Sequence, residues 1–205
     1  AIALVRGNSV DIYDAATGQL TGSTLPLSAT VNNIAFTKAF GGLRLAVQAS
    51  DGPSTFAFTF ATTGGAALTG AQVFAGEPVD TRCFAPRPAP GPDGPEFAMG
   101  GGQSTTIGVA AFEAGPTRLL VSAPWFVAHS DLAYSPSGAT LAVAGVAPGG
   151  HVLLYNASNG APESVLFHGA LGARSLRFVS ESVLATAGDD AALRTWDLAA
   201  ASERL

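Results

Sequence analysis

A self-similar pattern with a period of roughly 40–45 residues constrains this 205-residue chain more than any other feature. "SVDIYDAATGQL" (9–20) and "HVLLYNASNGAP" (151–162) share alternating apolar residues, an aromatic residue, Asp or Asn, and a turn that ends in Gly. Three further segments fit the same template: "TFAFTFATTGGAAL" (55–68), "TIGVAAFEAGPTRL" (106–119) and "AALRTWDLAA" (191–200). Alternating runs of this kind, bounded by turn residues, indicate short β-strands.

A second motif precedes most of these segments. "VNNIAFTKAFGGLRLAVQASDG" (31–52) and "HSDLAYSPSGATLAVAGVAPGG" (129–150) both predict a strand, a tight turn, a strand and a Gly-rich turn. Residues 81–103 repeat this motif with a proline-rich insertion, and residues 173–190 repeat it with a polar turn. The two motifs together supply four short strands per repeat, which is the unit of a β-propeller blade. The chain is therefore predicted to be an all-β propeller of four-stranded antiparallel blades.

We divide the chain into five approximate blades. Residues 28–76, 77–123 and 124–167 each contain four predicted strands, whereas 1–27 lacks its innermost strand and 168–205 lacks its outermost strand. The chain thus contains about 4.5–5 blades, and this number predicts that it is part of a larger propeller. Since the chain opens inside an apolar pattern without an initiator Met, we expect further residues before it. Open strand edges promote unwanted pairing, so we expect a partner or further chain to cover them.

The last repeat resembles the WD40 family. "FHG" (167–169) resembles the Gly-His start of that family's repeat, "SLRF" its inner strand, "SVLATAG" its second strand and "ALRTWD" its third. "AYSPSG" is similar to the family's aromatic-Ser-Pro-Asp-Gly turn. The resemblance extends over nearly the whole chain, although the second and third repeats lack both Trp-Asp and Gly-His. It implies a propeller, commonly of seven blades in that family.

The resemblance also gives a role to the acidic stretch "TAGDDAALRTWDLAA" (186–200). In the WD40 family a buried His, a Ser or Thr, an Asp and the Trp form a hydrogen-bond chain within a blade. By position these residues are His168, Thr186, Asp190 and Trp196. A buried indole N–H is a donor that needs a partner, so a chain of this kind stabilises the blade.

Four polar residues are candidates for a partner-binding rim: Asn33, Asp131, Arg174 and Asp189. The first three stand at the starts of predicted inner strands, and Asp189 stands in the turn between a second and a third strand. In an up-and-down blade these positions lie at the same end, so we expect the four to surround one opening. Mixed charges favour selective contacts with proteins over binding of a polyanion.

Five prolines fall within the ten residues 86–95. Proline cannot donate to a strand ladder, so this segment is predicted to be a stiff, exposed insertion. Two interpretations stay open. The segment is either a solvated loop between strands or a docking arm that uses Arg87, Pro88 and Pro90.

Bulk properties exclude several classes of partner. The formal net charge of −5 and the lack of a basic stripe exclude nucleic-acid binding. The longest apolar stretch, 107–128, is interrupted by charges and prolines, so no membrane insertion is expected. The single cysteine, Cys83, is predicted to be a buried apolar residue, and its isolation favours an intracellular, cytoplasmic location.

These patterns lead to two functional hypotheses. The first is a non-catalytic scaffold that binds other proteins within a larger assembly, with no cofactor and no small-molecule substrate. The alternative is a propeller hydrolase or lactonase with a metal at the central channel. The starts of the inner strands offer that alternative a mixed set of polar residues: Asn32, Asn33, Asp80, His129, Asp131 and Arg174. The three histidines lack the usual zinc-ligand spacings, which favours the scaffold.

Overall fold

The computed structural model consists mainly of short β-strands joined by turns. It describes residues 2–21, 25–26, 29–38, 44–51, 54–61, 68–74, 83–92, 94–100, 106–111, 118–122, 128–146 and 150–201. A single-turn helix, α1 (Leu198–Ala201), ends the described part of the chain. None of the helical structure within these ranges has the length and apolar character needed to cross a membrane.

The strands form five antiparallel sheets, numbered here in chain order. The first sheet contains β1 (Ile2–Arg6), β2 (Ser9–Tyr13) and β3 (Leu25–Pro26). The second sheet contains β4 (Thr30–Thr37), β5 (Arg44–Asp51), β6 (Ser54–Ala61) and β7 (Leu68–Phe74). The third sheet contains β8 (Cys83–Pro86), β9 (Glu96–Gly100), β10 (Thr106–Ala111) and β11 (Arg118–Ser122). The fourth sheet contains β12 (Ala128–Tyr134), β13 (Thr140–Val146), β14 (His151–Asn156) and β15 (Pro162–Phe167). The fifth sheet contains β16 (Ala173–Phe178), β17 (Val183–Gly188) and β18 (Leu193–Asp197).

Each strand pairs with the next one along the chain, so every sheet is a meander. The second, third and fourth sheets have four strands, and the first and fifth have three among the described residues. The prediction of an all-β chain built from small antiparallel sheets of four strands is therefore confirmed.

The turns after β2 and β14 have the same geometry, as the sequence repeat predicts. The amide of Gly18 donates to the carbonyl of Asp14 over 2.9 Å, and that of Gly160 donates to the carbonyl of Asn156 over 2.8 Å. Both glycines have positive φ angles, 68° and 72°, which side chains with a Cβ rarely adopt. The shared turn explains why Asp or Asn followed four residues later by Gly recurs in the sequence.

The sheets stack in chain order through their first strands. β4 contacts β8, β8 contacts β12, and β12 contacts β16. Separate apolar clusters fill the spaces between neighbouring sheets. Representative buried members are Val10 and Leu45 between the first and second sheets, Phe97 between the second and third, Ile107 and Leu141 between the third and fourth, and Leu154 and Leu184 between the fourth and fifth. This serial arrangement aligns the first strands side by side and brings their starting ends to one edge.

A β-bulge recurs near the start of three first strands. The register with the second strand shifts between Val31 and Asn33, between His129 and Asp131, and between Ala173 and Ser175. The extra residues are Asn32, Ser130 and Arg174. A bulge re-aims side chains at the end of a strand, which is how it commonly positions functional groups.

The proline-rich segment 86–95 departs from the sequence prediction. Pro86 belongs to β8 and lies opposite Phe97 of β9, so the segment does join a ladder at its first residue. Its tip closes as a bridge in which Gly91 and Gly94 exchange backbone hydrogen bonds of 2.7 and 3.2 Å. The segment is thus the connection of the β8–β9 hairpin. Proline is tolerated at Pro86 because β8 is an edge strand of its sheet.

Candidate functional site

Two of the predicted rim residues form an exposed ion pair. Arg174 Nε lies 2.8 and 2.7 Å from the two carboxylate oxygens of Asp189, and Arg174 Nη2 lies 2.7 Å from one of them. The side chains are 55% and 39% exposed. The bond from Arg174 lowers the pKa of Asp189, and Asp189 in turn raises the pKa of Arg174. The start of β16 and the turn between β17 and β18 therefore lie at the same end of the fifth sheet.

Asp131 connects two sheets and is less accessible than the rim prediction requires. Its Oδ2 accepts hydrogen bonds of 2.9 Å from Ser175 Oγ, from the amide of Leu176 and from Arg177 Nη1. Its side chain is 18% exposed. The neighbouring Ser130 Oγ donates to the carbonyl of Ala173 over 2.6 Å. The start of β12 thus holds the start of β16, which makes Asp131 a support for Arg174.

Asn33 has its own partner within the second sheet. Its Nδ2 donates to Gln48 Oε1 over 2.6 Å, and the adjacent Asn32 donates to Ser50 Oγ over 2.9 Å. Asn33 is half-buried and Asn32 is exposed.

The sequence prediction of the rim missed Arg177, whose side chain is 70% exposed beside Asp131. The signal was present, because "SLRF" carries Arg where "NIAF" and "DLAY" carry Ala.

The residues of the implied hydrogen-bond chain lie close together in the fifth sheet and its approach. His168 Nδ1 is 2.7 Å from Thr186 Oγ1, and the indole N–H of Trp196 donates to the same oxygen over 2.8 Å. Asp190 Oδ1 lies 3.5 Å from His168 Nε2, longer than a normal N–H···O bond. His168 and Thr186 are each 1% exposed. The chain of contacts therefore runs from a surface turn into the interior.

Arg194 enters this network, and nothing in the family resemblance pointed to it. Its Nη2 lies 2.7 Å from Asp190 Oδ2, and its Nη1 lies 3.1 Å from His168 Nε2. Because a guanidinium only donates, Nε2 must accept and Nδ1 must carry the ring proton. Nδ1–H therefore donates to Thr186. His168 is neutral in this arrangement, held between Arg194 on one side and the hydroxyl on the other.

The pKa shifts agree with this assignment. The hydrogen bond from Arg194 is the main reason that the pKa of Asp190 falls to about 2, and the amide of Ala192 adds to it. Burial lowers the pKa of His168, and the charge of Arg194 lowers it further, against the opposing effect of Asp190. The result is an ionised Asp190 bonded to Arg194 beside a neutral imidazole, which is a supporting arrangement within the fifth sheet.

Arg87 does not lie where a docking arm would need it. It is 6% exposed, forms a buried ion pair with Glu96, and donates from Nε to the carbonyl of Gly138 over 2.8 Å. Its guanidinium also lies 5.9 Å from the centre of the Tyr134 ring. Arg87 is therefore a contact between the third and fourth sheets. Pro88 is half-buried and Pro90 is exposed, so the tip of the hairpin alone faces solvent.

The polar residues that the hydrolase hypothesis assigned to a metal site do not form a ligand cluster in the described ranges. No group of three or more His, Cys, Asp or Glu side chains there could hold a metal ion. His129 is 1% exposed, and burial lowers its pKa to about 4. Asp131 is bonded to the fifth sheet, and Asp80 lies outside the described residues. Cys83 is 2% exposed, within the apolar cluster between the third and fourth sheets.

Comparison with known proteins identifies a fold. No protein-family model matches the chain, and no curated protein matches it. Among solved structures, the chain is similar to one in the crystal structure of the mitotic checkpoint complex, with a TM-score of 0.66 and 16% sequence identity. The match covers 97% of this chain and 59% of that chain, so this chain spans less than two thirds of the length of its structural neighbour. The neighbour contains a β-propeller, and the stacked four-stranded sheets described above are consistent with a partial propeller.

Proposed function

We propose that this chain is a non-catalytic, WD40-type scaffold that binds other proteins within a larger multiprotein assembly. The contact surface is the rim around Arg174 and Asp189. The observation that carries the proposal is the exposed, bidentate ion pair between these residues at the bulged start of β16. Arginine near the centre of a protein interface is a frequent anchor, and a held guanidinium loses little conformational entropy on binding.

The support beneath the pair favours a binding role. Asp131 and Ser130 attach the start of β16 to the fourth sheet, so the rim is pre-organised. Arg174 Nη1 takes no part in the bonds to Asp189 described above. It can therefore donate a hydrogen bond to a carboxylate or carbonyl oxygen of a partner. The mixed charges of Arg174, Asp189 and Arg177 suit a partner with charges of both signs.

The proposal includes a division into blades. We assign residues 1–27, 28–76, 77–123, 124–167 and 168–205 to successive blades of a propeller larger than this chain. The sheets β4–β7, β8–β11 and β12–β15 fall within the three central ranges. The likeness to a longer chain from a propeller-containing complex supports this assignment.

Affinity capture with charge-reversed variants tests the proposal. Arg174→Glu with Asp189→Lys inverts the rim charges while keeping an internal ion pair, so folding is expected to survive. Lys38→Glu is the matched control, because Lys38 is exposed and follows the opposite end of a first strand, β4. We expect the wild type and Lys38→Glu to capture the same proteins, identified by mass spectrometry, and the double variant to lose them with its melting temperature unchanged. Undiminished capture by the double variant refutes the rim as the binding surface.

Metal analysis of the purified protein separates the scaffold from the hydrolase alternative. We expect no metal at a stoichiometric level. A stoichiometric transition metal or calcium ion that is lost together with a hydrolytic activity on chelation contradicts the non-catalytic assignment.

A further inference from the structure

The turn between β14 and β15 contains the only asparagine of the sequence that is followed by glycine. The chain has five asparagines, and the pair is Asn159–Gly160. Asn159 is exposed and Gly160 is half-buried. Because β14 runs parallel to β12, this turn lies at the end of the fourth sheet away from the rim. Glycine has no Cβ to shield its amide nitrogen and no side chain to restrict its backbone, so this nitrogen can approach the preceding side chain.

The side chain of Asn159 is folded toward the backbone that follows it. Its Oδ1 accepts a hydrogen bond of 2.9 Å from the amide of Ala161. This bond closes a small ring of the kind that Asn side chains form in turns, and the ring contains both Cγ of Asn159 and the nitrogen of Gly160. The bond also draws electron density from the carboxamide carbon. Cγ is therefore held near the next amide nitrogen and is polarised for attack by it.

The remaining bonds of the turn decide whether the attack can occur. Nδ2 of Asn159 makes no hydrogen bond to any residue that the structure describes, so this group can leave as ammonia. The amide of Gly160 donates to the carbonyl of Asn156 over 2.8 Å, and this bond must open first. Bonds in exposed turns open far more often than those of buried strands. The turn therefore slows the reaction relative to an unfolded chain without preventing it.

Asn156 provides an internal comparison, since its side chain makes the same kind of ring. Its Oδ1 accepts a hydrogen bond of 3.0 Å from the amide of Ser158. The next residue, however, is Ala157, which is fully buried and donates its amide to the carbonyl of Ala139 over 2.8 Å. A Cβ and a buried amide both oppose attack by this residue. The difference in the following residue thus favours reaction at Asn159.

We propose that the Asn159–Gly160 turn is a site of spontaneous deamidation that weakens the pairing of β15. The Gly160 nitrogen gives up its proton to hydroxide and attacks Cγ of Asn159. A new N–Cγ bond forms, the Cγ–Nδ2 bond breaks, and Nδ2 takes up a proton and leaves as ammonia, which gives a cyclic imide. Water then opens the imide at Cγ, which yields aspartate, or at the main-chain carbonyl, which yields isoaspartate. Water is the only other reactant that is consumed.

Isoaspartate is the product that affects the sheet, because it carries the main chain through the former side chain and lengthens the turn. The bond from Gly160 to Asn156 is then lost, and the adjacent pairing of Tyr155 with Pro162 is weakened. β15 is an edge strand that pairs only with β14. It carries Leu166, which is 3% exposed in the cluster shared with the fifth sheet. A change in an exposed turn thus reaches the contact between two sheets, independently of the rim.

Ageing of the purified protein tests the proposal. The chain is incubated at neutral and at mildly alkaline pH, ammonia release is measured, and peptide mapping by mass spectrometry follows each asparagine. Asn159→Thr is the matched variant, because Thr17 precedes Gly18 in the equivalent turn after β2. Asn8→Ser is the control, since Asn8 is also exposed in a turn but is followed by serine. Circular dichroism checks folding, and Asn159→Ser replaces Asn159→Thr if that protein does not fold.

We expect the wild type and Asn8→Ser to convert first at Asn159, faster at the higher pH, and to give both aspartate and isoaspartate there. Asn159→Thr is expected to lose this early ammonia release completely. The isoaspartate form, separated by ion exchange, is expected to unfold at a lower urea concentration than freshly purified Asn159→Asp, which carries the same charge without the longer turn.

Three results would overturn the proposal. The first is a folded protein that keeps Asn159 intact over the time in which the urea-unfolded chain converts fully. The second is earlier conversion of another asparagine. The third is an isoaspartate form as stable as Asn159→Asp, which would show that the reaction leaves the pairing of β15 unchanged.

Discussion

The indole N–H of Trp196 donates to Thr186 Oγ1 over 2.8 Å, which makes one hydroxyl the acceptor for a buried ring and a half-buried one. The second donor is His168 Nδ1, 2.7 Å away. Both lone pairs of the Thr186 oxygen are therefore in use. This hydroxyl adds to the contacts of Arg194 and Asp190 with His168 that join the fifth sheet to its approach segment.

Thr186→Val is expected to destabilise the protein by about 2–3 kcal/mol, because it keeps the side-chain shape but removes the acceptor of the buried His168 and the half-buried Trp196. Thr186→Ser keeps the acceptor and is expected to lose less than about 1 kcal/mol. Urea denaturation monitored by Trp fluorescence measures both. Equal losses for the two variants contradict the shared-acceptor role of the hydroxyl.

Acidification is expected to destabilise the protein through His129. Its pKa is about 4 in the folded state against an ordinary 6.5, so the unfolded chain binds the extra proton as pH falls. Stability is therefore full above about pH 6.5 and falls as the pH drops toward 4, by about 2 kcal/mol at pH 5. His168, whose pKa is also lowered, acts in the same direction. Denaturation midpoints across this range measure the slope, which His129→Gln should flatten; an unchanged slope in that variant argues against the assignment.

Arg87→Met is expected to cost about 3–5 kcal/mol, because it removes the cation that pairs with the buried Glu96 carboxylate. Arg87→Met combined with Glu96→Leu removes both charges and is expected to recover most of that loss. Pro90→Ser, in the exposed tip of the same hairpin, should change stability by less than about 0.5 kcal/mol. Thermal melting compares the three proteins. A double variant no more stable than the single one would show that the shape of the Arg87 side chain, and not its charge pairing with Glu96, stabilises this contact.

Ala191→Gly is expected to stabilise the fifth sheet by about 0.5–1 kcal/mol. Ala191 has a φ of 57°, which costs a side chain with a Cβ more than it costs glycine. Ala192→Gly is the matched control, and here only the flexibility of the unfolded chain should increase. Melting temperatures that rise for Ala191→Gly and fall for Ala192→Gly would agree with this account, whereas a fall in both would contradict it.

Asp131→Ala is expected to destabilise the contact between the fourth and fifth sheets by about 1–3 kcal/mol. The amide of Leu176 loses its acceptor, so its hydrogen exchange should accelerate together with that of neighbouring residues on β16. Exchange in the second sheet should stay unchanged. Uniform acceleration throughout the chain would mean that Asp131 acts on the whole fold and not on this one contact.

The local pattern predicted the strands and turns well, because both depend on neighbours in sequence. The Asp14–Gly18 and Asn156–Gly160 turns, and the alternation along β12 to β14, follow directly from residue type and spacing. The bulge at Arg174 was not predicted, since alternation alone does not reveal an extra residue in a strand.

Contacts between sheets account for what the sequence could not predict in the candidate site. Arg87 looked exposed because prolines surround it, yet its burial depends on Gly138 and Tyr134 of another sheet. The bond of Asp131 to Leu176 likewise joins positions that no local pattern relates. Arg194 belongs to the sequence motif "ALRTWD" of the last repeat. Its contact with His168 could not be predicted, because it depends on the path of the chain into the fifth sheet.

The separate apolar clusters between neighbouring sheets have a mechanical consequence. Each described cluster links one sheet only to the next, so a load applied to the two ends of the chain passes through the interfaces in series. The weakest interface yields first, and the sheets on either side keep their own contacts. Stretching a single molecule should therefore give several small unfolding steps in place of one large one, with the order of rupture set by local packing.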